Sequence, residues 1–175
     1  GRIVFAKQPK DDWTRLNLAM YLDEQSLIDR DRRRLDKAVA ASEEAVAIMR
    51  PVIADPASNV DFRWYFSRFL NSLAGHLAAL GRNDERDACR SEAKTVLAEI
   101  VNLQPDFVSY RESLAAIEIQ MAAAALIARP EEAAGLCRDA ASHYRRLMSA
   151  FPEATKYAAG FANAQEFLGR LLAES

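Results

Sequence analysis

Two stretches of this chain carry the same phrase. Residues 78–93 read AALGRNDERDACRSEA, and residues 124–141 read AALIARPEEAAGLCRDAA. In each, Ala-Ala-Leu runs into a turn, an acidic pair follows, and Cys-Arg with small residues comes after it. A chain that writes a helix end, a turn and a helix start twice is building one structural unit more than once. That constrains the fold more than any bulk property does.

The unit can be measured. Pro56, Pro105 and Pro152 each close a helical pattern, at intervals of 49 and 47, and Cys89 and Cys137 are 48 apart. After each proline comes a tyrosine, with an apolar pair four and five residues on: Tyr65 before Phe69-Leu70, Tyr110 before Leu114-Ala115, Tyr157 before Phe161-Ala162. Trp13 with Leu18-Ala19 is a looser version. The pattern predicts helical hairpins over about 11–58, 59–106 and 107–153, and a terminal helix over 154–173. Residues 1–10 hold the short apolar run Ile3-Val4-Phe5 before Pro9 and read as an irregular lead-in packed on the first helix. The chain begins at Gly1 and not at Met, which reads as a fragment of something longer.

Within a unit the apolar residues follow helical spacing. Phe62, Phe66, Phe69, Leu70, Leu73, Leu77 and Leu80 fall at offsets 0, 4, 7, 8, 11, 15 and 18, one stripe of an amphipathic helix. Gly81 suits the left-handed position that ends a helix. Asn83 is the expected N-cap of the next helix, with Asp84 and Glu85 in its first turn. In the echo Pro130 takes the first helical position. Counting breaks predicts an all-α chain of about seven helices, at 11–29, 33–54, 59–80, 84–103, 107–128, 131–150 and 154–173. A hairpin cannot bury its apolar face alone, so the hairpins are expected to stack side by side as a short right-handed α-solenoid. Small residues Ala74, Gly75 and Ala78, and Ala122, Ala123 and Ala125, are expected where helix axes come close.

An aromatic, a Leu-Ala pair, a small residue in the second helix (Ala93, Ala140) and a closing proline together resemble the tetratricopeptide pattern. The first unit departs from it, with Glu44 at the small position and Ala45 beside it. The period of about 47 departs too, since that motif has 34, so each helix is longer. Long-helix arrays of this tetratricopeptide-like form are similar to those attached to bacterial signalling proteins such as caspase-like proteases, kinases and nucleotide-binding regulators. The resemblance covers residues 11–173. It implies a scaffold that binds a protein or peptide.

Chemistry-bearing motifs are missing. There is no phosphate-binding loop, no GxGxxG, no GxSxG and no HExxH. His76 and His143 have no ligand cluster at metal spacing and read as core or boundary residues. No cofactor, metal site or catalytic residue is expected. The acidic pairs Asp11-Asp12, Glu43-Glu44, Asp84-Glu85 and Glu131-Glu132 read as helix starts or solvated faces. The basic stretch 29–34, DRDRRR, carries its own acids and reads as a solvated turn. Cys89 and Cys137 read as small buried thiols of a reducing cytoplasm. With 23 basic and 25 acidic residues, nothing draws the chain to nucleic acid or to a membrane.

The reading is therefore a non-catalytic protein–protein interaction module, cytoplasmic, part of a larger bacterial signalling or regulatory protein. Its binding face would be concave and lined by the first helix of each unit. Arg15 and Asn17, Arg63, Arg68 and Asn71, and Arg111, Glu118 and Gln120 are the candidate partner-binding residues, with Asn163 and Gln165 on the last helix. Two alternatives stay open. One is a spacer or oligomerisation element that self-associates through its C-terminal helix. The other is a small-ligand sensor or all-helical enzyme with its site in the groove.

Overall fold

The computed structural model describes residues 11–173, apart from the side chain of Leu172. The lead-in expected over 1–10 lies outside them. The described residues form seven helices and no strand: α1 (Asp12–Asp31), α2 (Leu35–Ile53), α3 (Val60–Ala79), α4 (Asn83–Leu103), α5 (Val108–Ala125), α6 (Pro130–Ala150) and α7 (Thr155–Ala173). Consecutive helices pack as hairpins, α1 with α2, α3 with α4 and α5 with α6. Every boundary falls within three residues of its predicted place, because periodicity and turn chemistry agree along the whole chain.

The helix ends show which local signals set them. Asp11 caps α1 by accepting from the Thr14 amide at 2.9 Å, and Asn59 caps α3 by accepting from the Asp61 amide at 2.8 Å. Gly81 ends α3 with φ +73°. Its amide bonds to Ala78 O, and the Arg82 amide reaches back to Leu77 O at 3.0 Å. Those two bonds satisfy carbonyls that the helix end would otherwise leave open. Asn83 does not cap α4 as expected. It is the first helical residue, and its side chain accepts from the Arg86 guanidinium at 2.8 Å.

The end of α1 uses the same device without a glycine. Arg33 has φ +57°, the Arg33 amide bonds to Arg30 O, and the Arg34 amide reaches Asp29 O at 2.8 Å. Positions 33 and 81 are separated by 48 residues, the interval between the two cysteines. The α5–α6 turn is built differently: Arg129 sits at φ −143° and bonds back to Ala125 O at 2.8 Å.

The chain divides into two compact units between Ala93 and Lys94, inside α4. In the first, Phe66, Met49, Ala38 and Ala45 are fully enclosed among α1, α2 and α3. Arg50 of α2 forks onto Glu92 of α4 at 2.6 and 3.0 Å. In the second, Ala115 of α5, Ala140, Ala141, Tyr144 and Leu147 of α6, and Tyr157 and Ala164 of α7 form one core cluster. Ala122 and Ala125 meet Ala133, Leu136 and Cys137 in another. The small residues Ala93 and Ala140 are both fully buried. Gly75 and Ala123 are exposed, so neither serves the close contact expected of it. The tightest approach is elsewhere: a Cβ added to Gly160 of α7 would lie 2.5 Å from the Tyr144 ring.

Candidate functional site

The predicted binding residues fall into two groups with different fates. In the first unit, α1 and α3 are in contact and keep polar and aromatic side chains at the surface. Asn17 and Arg68 are exposed, and Arg15, Arg63 and Asn71 are half-buried. The Arg68 guanidinium lies over the Trp64 ring at 5.1 Å and over Tyr65 at 5.6 Å. Trp13 is 58% exposed, with its ring edge-on to Phe62 at 5.0 Å, and Tyr21 is 52% exposed. Arg15 approaches Asp12 at 3.6 Å. Arg63 donates to the carbonyls of Asp55 and Pro56 at 3.3 and 3.2 Å, which ties α3 to the loop before it.

In the second unit Arg111 and Glu118 are buried, not solvated as expected, while Gln120 is half-buried. Helical spacing places both on the side of α5 that meets α6. There they join His143, which composition alone had left isolated. Arg111 Nη2 donates to Pro105 O at 2.6 Å, and Arg111 Nη1 lies 3.2 Å from His143 Nδ1. His143 Nε2 is 3.8 Å from Glu118 Oε2. Glu118 is 2% exposed, and its Oε2 has no hydrogen-bond partner. Burial is the largest cause of both perturbed titrations: it raises the Glu118 carboxyl to about 8 and lowers His143 to about 4.

A third polar group sits in the first unit. Ser26 Oγ donates to Asp23 O at 2.6 Å, and His76 Nε2 lies 3.1 Å from Ser26 Oγ. Ser26 and His76 are enclosed, and His76 Nδ1 has no partner. Burial holds His76 below its ordinary range and raises Asp23. A serine–histidine pair invites comparison with a nucleophilic site. This one lacks a carboxylate on Nδ1 and lacks substrate access to the hydroxyl.

Asp29 pairs with Arg34, and Arg30 with Asp31 at 3.0 Å, so the two acids of the DRDRRR stretch hold two of its four arginines. Both cysteines are free thiols; Cys137 is buried and Cys89 half-buried. Among the described residues no cluster of three or more His, Cys, Asp or Glu is placed to hold a metal ion. No helix among them is long and apolar enough to cross a membrane. On α7, Asn163 and Gln165 are exposed, whereas Phe161 and Leu168 pack on the clusters of their own unit. A groove of about 550 Å³ runs along α2, lined by Val46, Ala47, Pro51, Ala54 and Leu73 with Glu43 and Arg50.

Comparison with protein-family models and with curated proteins finds no match to this chain.

Proposed function

We propose that this chain is a non-catalytic interaction module that binds a protein or peptide partner, built on a tetratricopeptide-like plan and serving a bacterial cytoplasmic signalling or regulatory protein. The observation that carries the reading is the α1/α3 surface of the first unit. Trp13 and Tyr21 of α1 and Arg68 of α3 are at the surface, with Arg68 laid over Trp64 and Tyr65. Tryptophan, tyrosine and arginine are the residues that most often dominate binding energy, because each offers a large contact area with a polar end. A cation laid over aromatic rings gives a peptide both an anion-binding and an apolar contact. The recurrence of one turn geometry at Arg33 and Gly81 supports the repeated plan.

Self-association through α7 has less to use, since Phe161 and Leu168 are turned into their own unit.

Selection of a displayed peptide library on the intact chain tests the reading. Enriched peptides are expected to lose binding to Arg68→Ala and Tyr21→Ser while both variants keep the parental Tm. Arg63 is a poor probe, because its replacement also frees the loop at Asp55 and Pro56. Peptides that bind both variants as well as the parent would place the binding face elsewhere. A selection that enriches nothing would remove the proposal.

A further inference from the structure

We propose that the seam between α5 and α6 is a pH-sensitive joint, in which Glu118 changes charge against a histidine face that Arg111 holds fixed, loosening the two helices as the medium turns alkaline.

A guanidinium can only donate, so the 3.2 Å contact from Arg111 makes His143 Nδ1 the acceptor and leaves the ring proton on Nε2. Arg111 is held in turn by the Pro105 carbonyl. Nε2–H therefore faces Glu118 Oε2, at 3.8 Å, a distance too long for a hydrogen bond. A neutral Glu118 is tolerated in this setting. An ionised Glu118 would be a buried charge with an unfilled oxygen, and a proton on His143 cannot rescue it. Such a proton would have to enter at Nδ1, where the Arg111 N–H already points. The usual escape of a buried carboxyl beside a histidine, proton transfer to make an ion pair, is closed.

The charged groups around the pair come from every side of the seam. Lys94 of α4 attracts the carboxylate, and Asp139 of α6 opposes it. Arg111, Arg146 and Lys94 disfavour a charged His143, and Asp139 favours it. Asp106, in the turn before α5, faces Arg111. On α7, Lys156 is engaged by Glu112 at 2.8 Å, and the Tyr144 hydroxyl of α6 feels the charges of Glu112, Glu118 and Lys156 alike. None of these sits within hydrogen-bond distance of Glu118 Oε2, which stays without a partner. Burial with one oxygen unfilled raises the Glu118 titration, to about 8. The joint is thus closed in mildly acid and neutral solution and weakens as Glu118 ionises.

Two measurements on the intact chain test this. The first follows the Glu118 carboxyl carbon by NMR across pH. The second follows amide exchange along α5 and α6 at low and high pH, corrected for base catalysis of intrinsic exchange. The carboxyl is expected to titrate near pH 8. Protection around Glu118 and His143 is expected to fall about tenfold or more across that transition and to stay constant in Glu118→Gln. A carboxyl that titrates near its ordinary 4.5 overturns the proposal, as does equal loss of protection in Glu118→Gln. Should Glu118→Gln not fold, the Arg111→Gln variant decides. Freeing Nδ1 is expected to move the His143 ring titration up from about 4 toward 6.5, and an unmoved ring would show that Arg111 fixes nothing.

Discussion

His76 in the first unit and His143 in the second are both kept neutral by burial, yet they are neutral for different purposes. His76 gives its Nε2 proton to a hydroxyl already committed to Asp23 O, and its Nδ1 has no hydrogen-bond partner. The Asp23 carboxyl near it is raised by burial as Glu118 is, but His76 Nδ1 has no donor upon it and can take a proton. His143 has its Nδ1 filled by a permanent cation and its Nε2 turned toward a carboxyl oxygen that no group satisfies. The difference teaches that burial alone does not make a titratable site responsive. A responsive site also needs a neighbour that blocks the easy proton transfer.

The strongest way to break the comparison is the pH dependence of stability. His143 has its folded titration lowered from 6.5 to about 4, so its contribution is present above 6.5 and lost as pH falls through 4. Glu118 has its folded titration raised from 4.5 to about 8, so its contribution is present below 4.5 and lost as pH rises through 8. Between 4.5 and 6.5 the two slopes are opposite and nearly cancel. The parent chain is expected to lose about 2 kcal/mol of second-unit stability from pH 6.5 to 8 through Glu118. Glu118→Gln is expected to abolish that loss and to expose the opposite one, about 3 kcal/mol from pH 6.5 down to 4. Denaturant melts of both proteins across pH would show it, and profiles of the same shape would mean the two sites do not differ as described.

A second test asks whether the units share a packing rule. Ala93 and Ala140 are both fully enclosed. Leucine at either is expected to overpack its contact at a cost of about 1–3 kcal/mol, read as a lowered denaturation midpoint with unchanged m. A tolerated Ala140→Leu would mean that α5 and α6 can separate freely.

The smallest effects are expected at the turns. Arg33 holds a left-handed backbone that costs a side-chain-bearing residue about 1–2 kcal/mol, so Arg33→Gly is expected to raise stability by about 1 kcal/mol or less. Gly81→Val, at the corresponding place, is expected to lower it by about 1 kcal/mol or more. Thermal melts of the two single variants, with shifts of opposite sign, would confirm that one geometry is written with two residues.

That pair also marks how far the sequence could be read. Helix positions were legible because apolar spacing, prolines and acidic first turns all point the same way. Gly81 was legible because glycine advertises positive φ. Arg33 was not, since nothing in an arginine announces a left-handed turn and its neighbours suggested only a charged loop. Arg111 and Glu118 were read as solvent-facing because polar side chains usually are. Their placement depends on where α6 lies, which is a tertiary fact. The lone signal was His143, one residue before Tyr144 on the buried side of α6, and a single histidine is too weak to reveal a pair. Gly75 and Gly160 look alike in sequence. Only the Tyr144 ring tells them apart.

The bare backbone at Gly160 acts as a keyway. The Tyr144 ring fits where a single carbon is missing, so the rotational phase of α7 about its own axis is set by one absence. Moving that gap by one residue would turn the slot by about 100° and carry it away from the ring. Substitutions over the outward side of α7 leave the lock untouched, so that side is free to diverge while the helix keeps its seat.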